Sequence, residues 1–569
     1  MMKRELEERV GFILAWGTLA VTVLVADRIS SDPVNVSKMF LLSIIGFSLL
    51  PILFMQRNQL LQDSRVLVLT SLGFITVATV SMFTSENPIE RGLYGAYGRN
   101  TGILAYTALI IIFLASTLMS QERGFQRVMK VFVFAAVVNV ILSLLAASGN
   151  DIFAWDNPYN APLGTFGNPN FISAFMGIAI TFAVVQLLDK NLSTKLRLFA
   201  LGVLPFLVLT IYLSKALQGT LVAAFGSSLA IYFFIRSKEN LQRLSYVYLG
   251  GVVTAGLVGL AGILNKGPLA TYLYSSTVKF RGEYWKAGIN MGMENPITGV
   301  GIDSYGIYYR TFRELSATVA PGVDVGTDTA HNVYIDIFSG TGFPGLAFYL
   351  VINGFVLLTA FKHLKGRRTF DGPFLTLFLC WIAYQLQSIA SINQLGLAVW
   401  GWLFGGLIIA YTRSHFNGTL LEKRNENKSV KSGKGNKDQV GQLLDASTSL
   451  KILAGAVVGL LIALPPFVTD AKMKSFFSSK TGTAESVIAL GQSWPIDNLR
   501  LNRIIVSLAS NNQNDNAREL ASFAALNFPN DFVSWWALDQ LTRDGIPEKE
   551  FIRAKIHEID PYNPAYFKK

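Results

Sequence analysis

The polar residues best suited to chemistry stand in short clusters between long apolar runs. Arg281 begins the run Arg-Gly-Glu-Tyr-Trp, His331 is followed by Asn332, and two further clusters contain Arg99 and Lys215. Arginine, lysine and histidine side chains on one face, without a cage of carboxylates around them, are suited to holding a phosphate or diphosphate through charge-assisted hydrogen bonds. These residue types therefore predict an anion site and no metal site.

The composition indicates that a membrane surrounds these clusters. Of 569 residues, 51% are hydrophobic and only 15% charged, and the mean hydropathy is +0.39, which is too apolar for an ordinary soluble protein. Anionic lipid headgroups suffice as partners for the formal charge of +12. Nucleic acid is disfavoured because the basic residues lie between apolar spans and form no single stripe or recognised motif. The only cysteine, Cys380, can form no internal disulfide and offers no cysteine-rich metal site.

Long apolar runs predict an all-α, polytopic helical bundle with about 12 to 13 transmembrane helices, since a helix of about 17 to 20 apolar residues crosses a bilayer core. The first run follows Lys3-Arg4 without a small-residue cleavage site, so it reads as a retained anchor. Charges within the runs are nearly absent, although a transport pathway would be expected to show them. The runs lie at residues 10–26, 39–55, 66–83, 102–119, 131–147, 171–188, 198–213, 220–235, 246–264, 333–360, 374–390, 395–411 and 452–468.

The charges of the connections predict which way the bundle stands. Lysine and arginine are retained on the cytoplasmic side, and they mark every second connection, as in the segment from Lys362 to Arg368. This alternation predicts a cytoplasmic N-terminus and an outer C-terminus. It also places the polar clusters on the outer face, in the connections 85–101, 149–170, 214–219 and 265–332.

The chain divides by composition into four parts. We predict a transmembrane core at 1–420 with a large outer loop at 265–332, a basic cytoplasmic linker at 421–450, a last transmembrane helix at 451–469, and an outer helical domain at 470–569. In the outer domain, Pro495, Pro529 and Pro561 recur at a spacing of about 34 and then about 32 residues, which resembles tetratricopeptide repeats. Such repeats bind peptides or organise assemblies. The alternative is a small helical cap with coincidental prolines.

Several motifs together resemble the O-antigen ligase and polymerase family. The run from Arg281 to Trp285, the run Asn-Pro-Ile-Thr-Gly-Val-Gly at 295–301, His331-Asn332 and Gly342 are similar to its signature loop, and residues 97–102 and 164–170 are similar to its earlier outer-loop motifs. Members are GT-C type membrane glycosyltransferases of the bacterial inner (cytoplasmic) membrane. They move a glycan from a polyprenyl diphosphate, such as undecaprenyl diphosphate, to an acceptor hydroxyl outside the cytoplasm, with inversion and without a metal or other cofactor.

The resemblance implies roles for individual residues. It makes His331 the group that accepts the proton of the acceptor hydroxyl and Arg281 the group that holds the diphosphate. The family commonly has Ser-Arg where this chain has Ser214-Lys215, so the second phosphate contact is a lysine here. The remaining candidates for binding the diphosphate or sugar are Arg99, Asn168, Asn170, Glu283, Trp285 and Asn332.

Each candidate residue also has a structural interpretation. A histidine before a membrane span is often interfacial, an arginine can anchor to headgroups, and a lysine can snorkel. The run Gly-Asn-Pro-Asn that contains Asn168 and Asn170 is also ordinary turn chemistry, and Arg99 can serve loop structure alone.

Three classes of function remain open. The first is lipid-linked oligosaccharide transfer, with ligation to a lipid core, polymerisation of repeat units and O-glycosylation of protein as variants that share one chemistry. Its partners would be a polyprenyl-diphosphate-linked glycan, a glycan, lipid or protein acceptor, membrane lipids, and a protein bound by the C-terminal repeats. The second is a transporter of lipid-linked glycan, for which internal duplication and broken helices would be expected. The third is a non-catalytic membrane scaffold.

Overall fold

The structure, a computed structural model, describes residues 4–153, 155, 157–425, 438–479 and 484–566. These residues form helices and no strand, which confirms the predicted all-α fold class. The helices of the first half are α1 (Arg4–Val23), α2 (Asn35–Met55), α3 (Arg57–Thr84), α4 (Ile89–Tyr94), α5 (Ile103–Ser116), α6 (Glu122–Ala147), α7 (Pro169–Leu188), α8 (Thr194–Ser214), α9 (Leu217–Arg236), α10 (Gln242–Ile263), α11 (Ala270–Leu273) and α12 (Ser276–Glu294).

The second half continues the bundle and ends in a group of shorter helices. These are α13 (Tyr305–Phe312), α14 (Leu315–Ala317), α15 (Val333–Leu364), α16 (Gly372–Ile389), α17 (Leu395–Asn425), α18 (Asp438–Ser479), α19 (Ala484–Gly491), α20 (Asn498–Ser510), α21 (Asn514–Asn527), α22 (Phe532–Leu541) and α23 (Pro547–Ile559). The predicted basic linker at 421–450 falls largely on the ends of α17 and α18, and its residues 426–437 lie outside the described residues.

Among the described residues, ten helices are long and apolar enough to cross a membrane. They are α2, α3, α6, α7, α8, α9, α10 with the turn before it, α15, and the apolar parts of α17 and α18. The other three predicted spans fall on α1, α5 and α16, which are helical but begin with charged residues or are shorter. At 14 residues, α5 is below the length of about 20 that crosses a bilayer core unaided.

Small residues allow several of these helices to approach closely. A Cβ atom added at Gly46 of α2 would lie 2.7 Å from the backbone of Ala108 in α5. Helix α18 also approaches α2 closely, because a Cβ atom added at Gly459 would lie 2.4 Å from the backbone oxygen of Ser43. Because lipid gives helices no hydrophobic reason to associate, close van der Waals packing at small residues holds them together.

Helix α15 is interrupted at Gly342, where φ is +66°. The broken turn is completed by the segment at 295–301, because the N–H of Phe343 donates to the carbonyl of Pro296 at 2.8 Å and the N–H of Val300 donates to the carbonyl of Ser339 at 2.8 Å. A Cβ at position 342 would lie 2.5 Å from the oxygen of Pro296. The motif at 295–301 is thus a backbone partner of α15 and fixes its first part.

The predicted outer loop at 265–332 is mostly helical. It contains α11 to α14, and the longest of these, α12, packs along α15. Gly288 and Gly292, four residues apart on α12, make this contact, since Cβ atoms there would lie 2.5 Å from Ile335 and 2.5 Å from Phe338. The loop is therefore a packed element and not an open connection.

The C-terminal helices form a small second core against the same end of the bundle as α12 and α13. Asp497 and Asp531, each two residues after a proline, accept backbone N–H groups at the starts of α20 and α22. The recurring Pro-x-Asp pattern is therefore a repeated helix start. Its reading as a tetratricopeptide repeat stays a prediction.

Buried ion pairs join this C-terminal group to the loop helices. Asp560, fully buried, accepts hydrogen bonds from Arg313 at 2.7 and 2.8 Å and from Arg310 at 2.8 Å. Both guanidinium groups also donate to the carbonyl of Val323. Asp560 therefore fixes the segment that leads from α13 toward His331.

We predict that Asp560→Ala destabilises the C-terminal helices and the segment that they hold by about 3–5 kcal/mol, because it leaves two buried arginines without their carboxylate. Thermal unfolding and limited proteolysis in detergent would measure this. Asp544→Ala is the matched control, since the Asp544 side chain is 81% exposed and an exposed carboxylate contributes little through its ion pairs. An equal, small effect of both substitutions would contradict the proposed role of Asp560.

Candidate active site

One face of α12 carries Arg281, Tyr284 and Gly288, at spacings of three and four residues that place them in a row. Gly288 brings this face close to Ala330 and Ile335, and a Cβ there would lie 3.5 and 2.5 Å from their side chains. The close packing positions Arg281 and Tyr284 beside the segment that precedes α15. It explains why a glycine occurs within the helix.

His331 stands at the end of that segment in a constrained backbone conformation. Its φ is +54°, a value that non-glycine residues rarely adopt. The backbone on both sides is fixed: the N–H of Ala330 donates to the carboxylate of Asp336, and the side chain of Asn332 accepts the N–H groups of Tyr334 and Ile335 at the start of α15. The His331 ring stacks on Tyr284, with centroids 5.7 Å apart and planes at 26°.

A third segment reaches the site through Arg99. Its guanidinium pairs with the carboxylate of Asp328, with Nε 2.8 Å from one oxygen and Nη2 3.2 Å from the other. The loop that carries Arg99 is held by Asp303, whose carboxylate accepts the N–H groups of Ala96 at 2.8 Å and Thr101 at 3.1 Å. The structure thus brings together Arg99, Arg281 and His331 from three separate parts of the sequence.

The electrostatics of the site favour a neutral histidine. Burial lowers the pKa of His331 to about 4, with Asp328 acting against this shift and the charges of Arg281 and Arg99 adding to it. Burial acts to raise the pKa of Asp328, but Arg99 outweighs it, so the pKa of that carboxyl lies below its ordinary value. At neutral pH, His331 is therefore uncharged and has one ring nitrogen with a lone pair.

Arg281 differs from the other cations of the site. No carboxylate or other hydrogen-bond partner contacts it among the described residues, whereas Arg99 forms an ion pair with Asp328. Burial lowers the pKa of Arg281, but an arginine remains protonated in proteins. An unpaired, half-buried guanidinium beside a neutral imidazole is an open position for an anion.

The other predicted site residues lie in different surroundings. Lys215 is exposed at the end of α8, where Nζ donates to the carbonyl of Asn160 at 3.2 Å, and no contact joins it to Arg281 or His331 in the described structure. Asn168 accepts the N–H of Asn170 and so starts α7, while its amide donates to Tyr159 at 3.1 Å.

Three more candidates belong to the neighbourhood of His331. Glu283 contacts Lys286 at 3.1 Å and Ser316 at 2.6 Å and makes no ion pair with Arg281 among the described residues. Trp285 has a buried Nε1–H without a partner among the described residues. Asn332 serves as the cap of α15 described above.

Sequence reasoning missed the residues that tune the histidine. Asp328 lies three residues before His331, and Tyr284 lies within the run that starts at Arg281, so both were near a recognised motif. Nothing in the linear sequence indicated that Asp328 would pair with Arg99, which is more than two hundred positions away. Among the described residues, no group of three or more His, Cys, Asp or Glu side chains is arranged to hold a metal ion.

The fold and the site define a polytopic helical membrane protein with a cationic site at one end of its bundle. Residues 200–350 match the family Wzy_C, described as O-antigen ligase. This match places that segment in the O-antigen ligase family and confirms the resemblance seen in the sequence motifs. The segment includes Lys215, Arg281 and His331, whereas Arg99 and the C-terminal helices lie outside it. No match was found among curated proteins.

We predict that Asp328→Asn lowers the pKa of His331 below its value of about 4, because Asp328 supplies the negative charge that opposes burial and the two arginines. Nuclear magnetic resonance of the labelled histidines would show this, since the chain has only four and His331→Gln assigns the signal. Asp324→Asn, an exposed neighbour in sequence, is the control and should leave the pKa in place. A higher pKa in Asp328→Asn would overturn this account of the site.

Proposed function

We propose that this protein is a lipid-linked oligosaccharide transferase that moves a glycan from a polyprenyl diphosphate to an acceptor hydroxyl on the outer face of the membrane. The observation that carries the proposal is the pairing of a neutral His331 with an unpaired Arg281 inside the segment that matches the O-antigen ligase family. The family match supports the transfer of glycan. The donor, the acceptor and the two residue roles are our proposal.

The proposed reaction is a single inverting displacement. The acceptor oxygen forms a bond with the anomeric carbon of the donor sugar, and its proton passes to the free ring nitrogen of His331. The bond from the anomeric carbon to the diphosphate oxygen breaks, and the polyprenyl diphosphate leaves with the electron pair. Negative charge grows on that oxygen as the bond breaks, and the fork of Arg281 stabilises it through two hydrogen bonds.

Electrostatic coupling between the two residues gives the order of events a physical reason. In the free protein the charge of Arg281 helps keep the pKa of His331 low. A bound diphosphate neutralises that charge and adds its own negative charge, so the pKa of His331 rises. The histidine thus becomes a stronger base only after the donor is in place.

Arg99 and Asp328 act as a positioning pair in this scheme. Because Asp328 already pairs with Arg99 and offsets its charge, we assign Arg99 a role in the local electrostatic field and in loop structure, not a direct phosphate contact. Lys215 is available for a longer-range contact with the second phosphate or with a sugar, since it is exposed at the C-terminal end of α8. The basic connections predict that this end of the bundle faces away from the cytoplasm.

The acceptor is the open part of the proposal. Ligation to a lipid core, extension of a growing glycan and modification of a protein share the displacement described above. The position of the C-terminal helices, joined to α13 through Asp560 on the same end of the bundle, favours an acceptor that contacts both parts. Mass analysis of surface glycans and glycoproteins in a deletion strain separates missing ligation, short chains and unmodified protein.

We predict that His331→Ala lowers transfer from a purified polyprenyl-diphosphate glycan by about 10²–10⁴-fold, the range for loss of a general base. Arg281→Ala should lower it by about 10²–10³-fold, as for loss of one group that stabilises the developing charge. Lys279→Ala is the control, since Lys279 is exposed on the same helix and has no contact with the site. Normal transfer by either site variant, with wild-type accumulation in the membrane, would exclude the mechanism and favour a transporter or scaffold.

The pH dependence gives an independent prediction. Transfer requires neutral His331, so kcat/KM should be constant at neutral pH and fall as the pH drops through about 4, the pKa in the free protein. The acid limb of kcat should lie at higher pH, because the bound diphosphate raises this pKa. Arg281→Gln removes a charge that lowers the pKa, so its kcat/KM limb should also move to higher pH. Limbs that coincide for kcat and kcat/KM would argue against the coupling.

A further inference from the structure

A cavity lies in the bundle at the end opposite to His331. Its volume is about 840 Å³, within the range of about 300–1,000 Å³ that is typical of small-molecule sites. It lies between α6, α7 and α8 and reaches the first turns of α16. Helix α16 starts after the C-terminal end of α15, whereas His331 precedes the N-terminal end of α15. The cavity is therefore separate from the proposed active site.

The interior of this cavity is apolar. Side chains from the middle of three membrane-spanning helices line it, among them Phe132 and Val133 of α6, Ala183 of α7, and Val203 and Leu207 of α8. These helices cross the membrane core, where an apolar gap that opens toward lipid fills with hydrocarbon and not with water. The interior thus suits acyl or prenyl chains.

The rim of the cavity is polar and carries a lysine without an acidic partner. Lys130 lines the cavity and makes no ion pair among the described residues. The two acidic residues of the rim have other contacts: Glu122 accepts a hydrogen bond from Gln126 at 2.8 Å, and Asp189 accepts the N–H of Asn191 at 2.9 Å. Lys130 is therefore the charge of the rim that remains open to a ligand.

Basic residues also dominate the surface around the rim. The first turns of α6, the turn between α7 and α8 and the first turn of α8 carry the following further cations: Arg123, Arg127, Lys190, Lys195 and Arg197. Against Glu122 and Asp189, this end of the three helices has an excess of positive charge. Basic pockets between transmembrane helices suit anionic lipid headgroups.

We propose that the cavity between α6, α7 and α8 binds one anionic phospholipid, with its acyl chains in the apolar interior and its phosphate at Lys130. A polyprenyl diphosphate fits the position less well, because its diphosphate would be at the opposite end of the bundle, at Arg281. Only this argument against a polyprenyl diphosphate rests on the proposed function. The proposal assigns a lipid-binding role to α6, α7 and α8.

Lipid competition in nanodiscs tests this proposal. The full chain is reconstituted in phosphatidylcholine that contains phosphatidylglycerol and undecaprenyl phosphate, and native mass spectrometry then identifies the lipids that stay bound. We expect retention of phosphatidylglycerol at a stoichiometry of one. Preferential retention of undecaprenyl phosphate, or equal retention of all three lipids, would overturn the proposal.

Variants locate the bound lipid. Val133→Trp and Val203→Trp fill the cavity from two facing helices, and each should cause loss of the retained phosphatidylglycerol. The matched control is Val253→Trp on α10, where Val253 is 53% exposed and lies outside the cavity. Equal retention by the filled variants and the control would place the lipid elsewhere and contradict the proposal.

A charge variant keeps the test valid if a tryptophan variant does not fold. Lys130→Glu replaces the open cation at an exposed position, so the fold should be kept. It should lower retention of phosphatidylglycerol and leave phosphatidylcholine binding unchanged. Unchanged selectivity for phosphatidylglycerol in this variant would show that the rim does not read the headgroup and would exclude the proposed site.

Discussion

Irregular backbone next to a bilayer needs partners for its N–H groups, and in this protein buried carboxylates supply them. Asp303 accepts two N–H groups of the loop that carries Arg99, and Asp336 accepts the N–H of Ala330 beside His331. At the start of α2, Asp470 accepts the N–H of Ser31 at 2.8 Å. An unpaired N–H here would cost roughly 1–3 kcal/mol. The shape of the site therefore depends on these acids, although none of them has a place in the proposed chemistry.

The same acids determine which cations remain available to a substrate. Burial raises the pKa of Asp303, and a neighbouring arginine, Arg91, acts against that shift. Arg91 in turn donates to the carbonyl of Asp303 at 2.9 Å and to Asn498 of the C-terminal helices at 2.8 Å. Arg99 is engaged in the same way by Asp328. The paired arginines at this end of the bundle thus stabilise the fold. Arg281 differs from them because it is half-buried beside His331 and no acid neutralises it among the described residues.

The sequence predicted the features of this protein that have a local signal and missed those that depend on contacts between distant segments. Helices that cross the membrane were predictable because their signal is local: a run of apolar residues has one stable state in lipid. The helical content of 265–332 was not, since α12 is stabilised by its glycine contacts with α15 and not by hydropathy. Likewise, Arg281 and His331 could be singled out by residue type and motif. The pairing of Arg99 with Asp328 depends on a fold that joins distant segments.

Two asparagines that residue type made candidates for sugar binding act as N-terminal helix caps in the structure. Asn168 and Asn332 are polar and lie within recognised motifs, yet both accept backbone N–H groups at helix starts. Asparagine is favoured at such positions because its side chain replaces the missing helical acceptor. A sequence shows the asparagine but not the direction of its amide. A role for Asn332 in sugar recognition would have to use its remaining N–H groups.

The low pKa of His331 connects the fold to the proposed chemistry. Burial and two nearby arginines disfavour the imidazolium, and Asp328 favours it. A base with so low a pKa is weak in the free protein. It becomes a stronger base when a diphosphate binds at Arg281, because the anion offsets the positive charge of that guanidinium and adds negative charge near the ring. The anion site and the base are therefore one electrostatic unit, held together by the packing of α12 on α15.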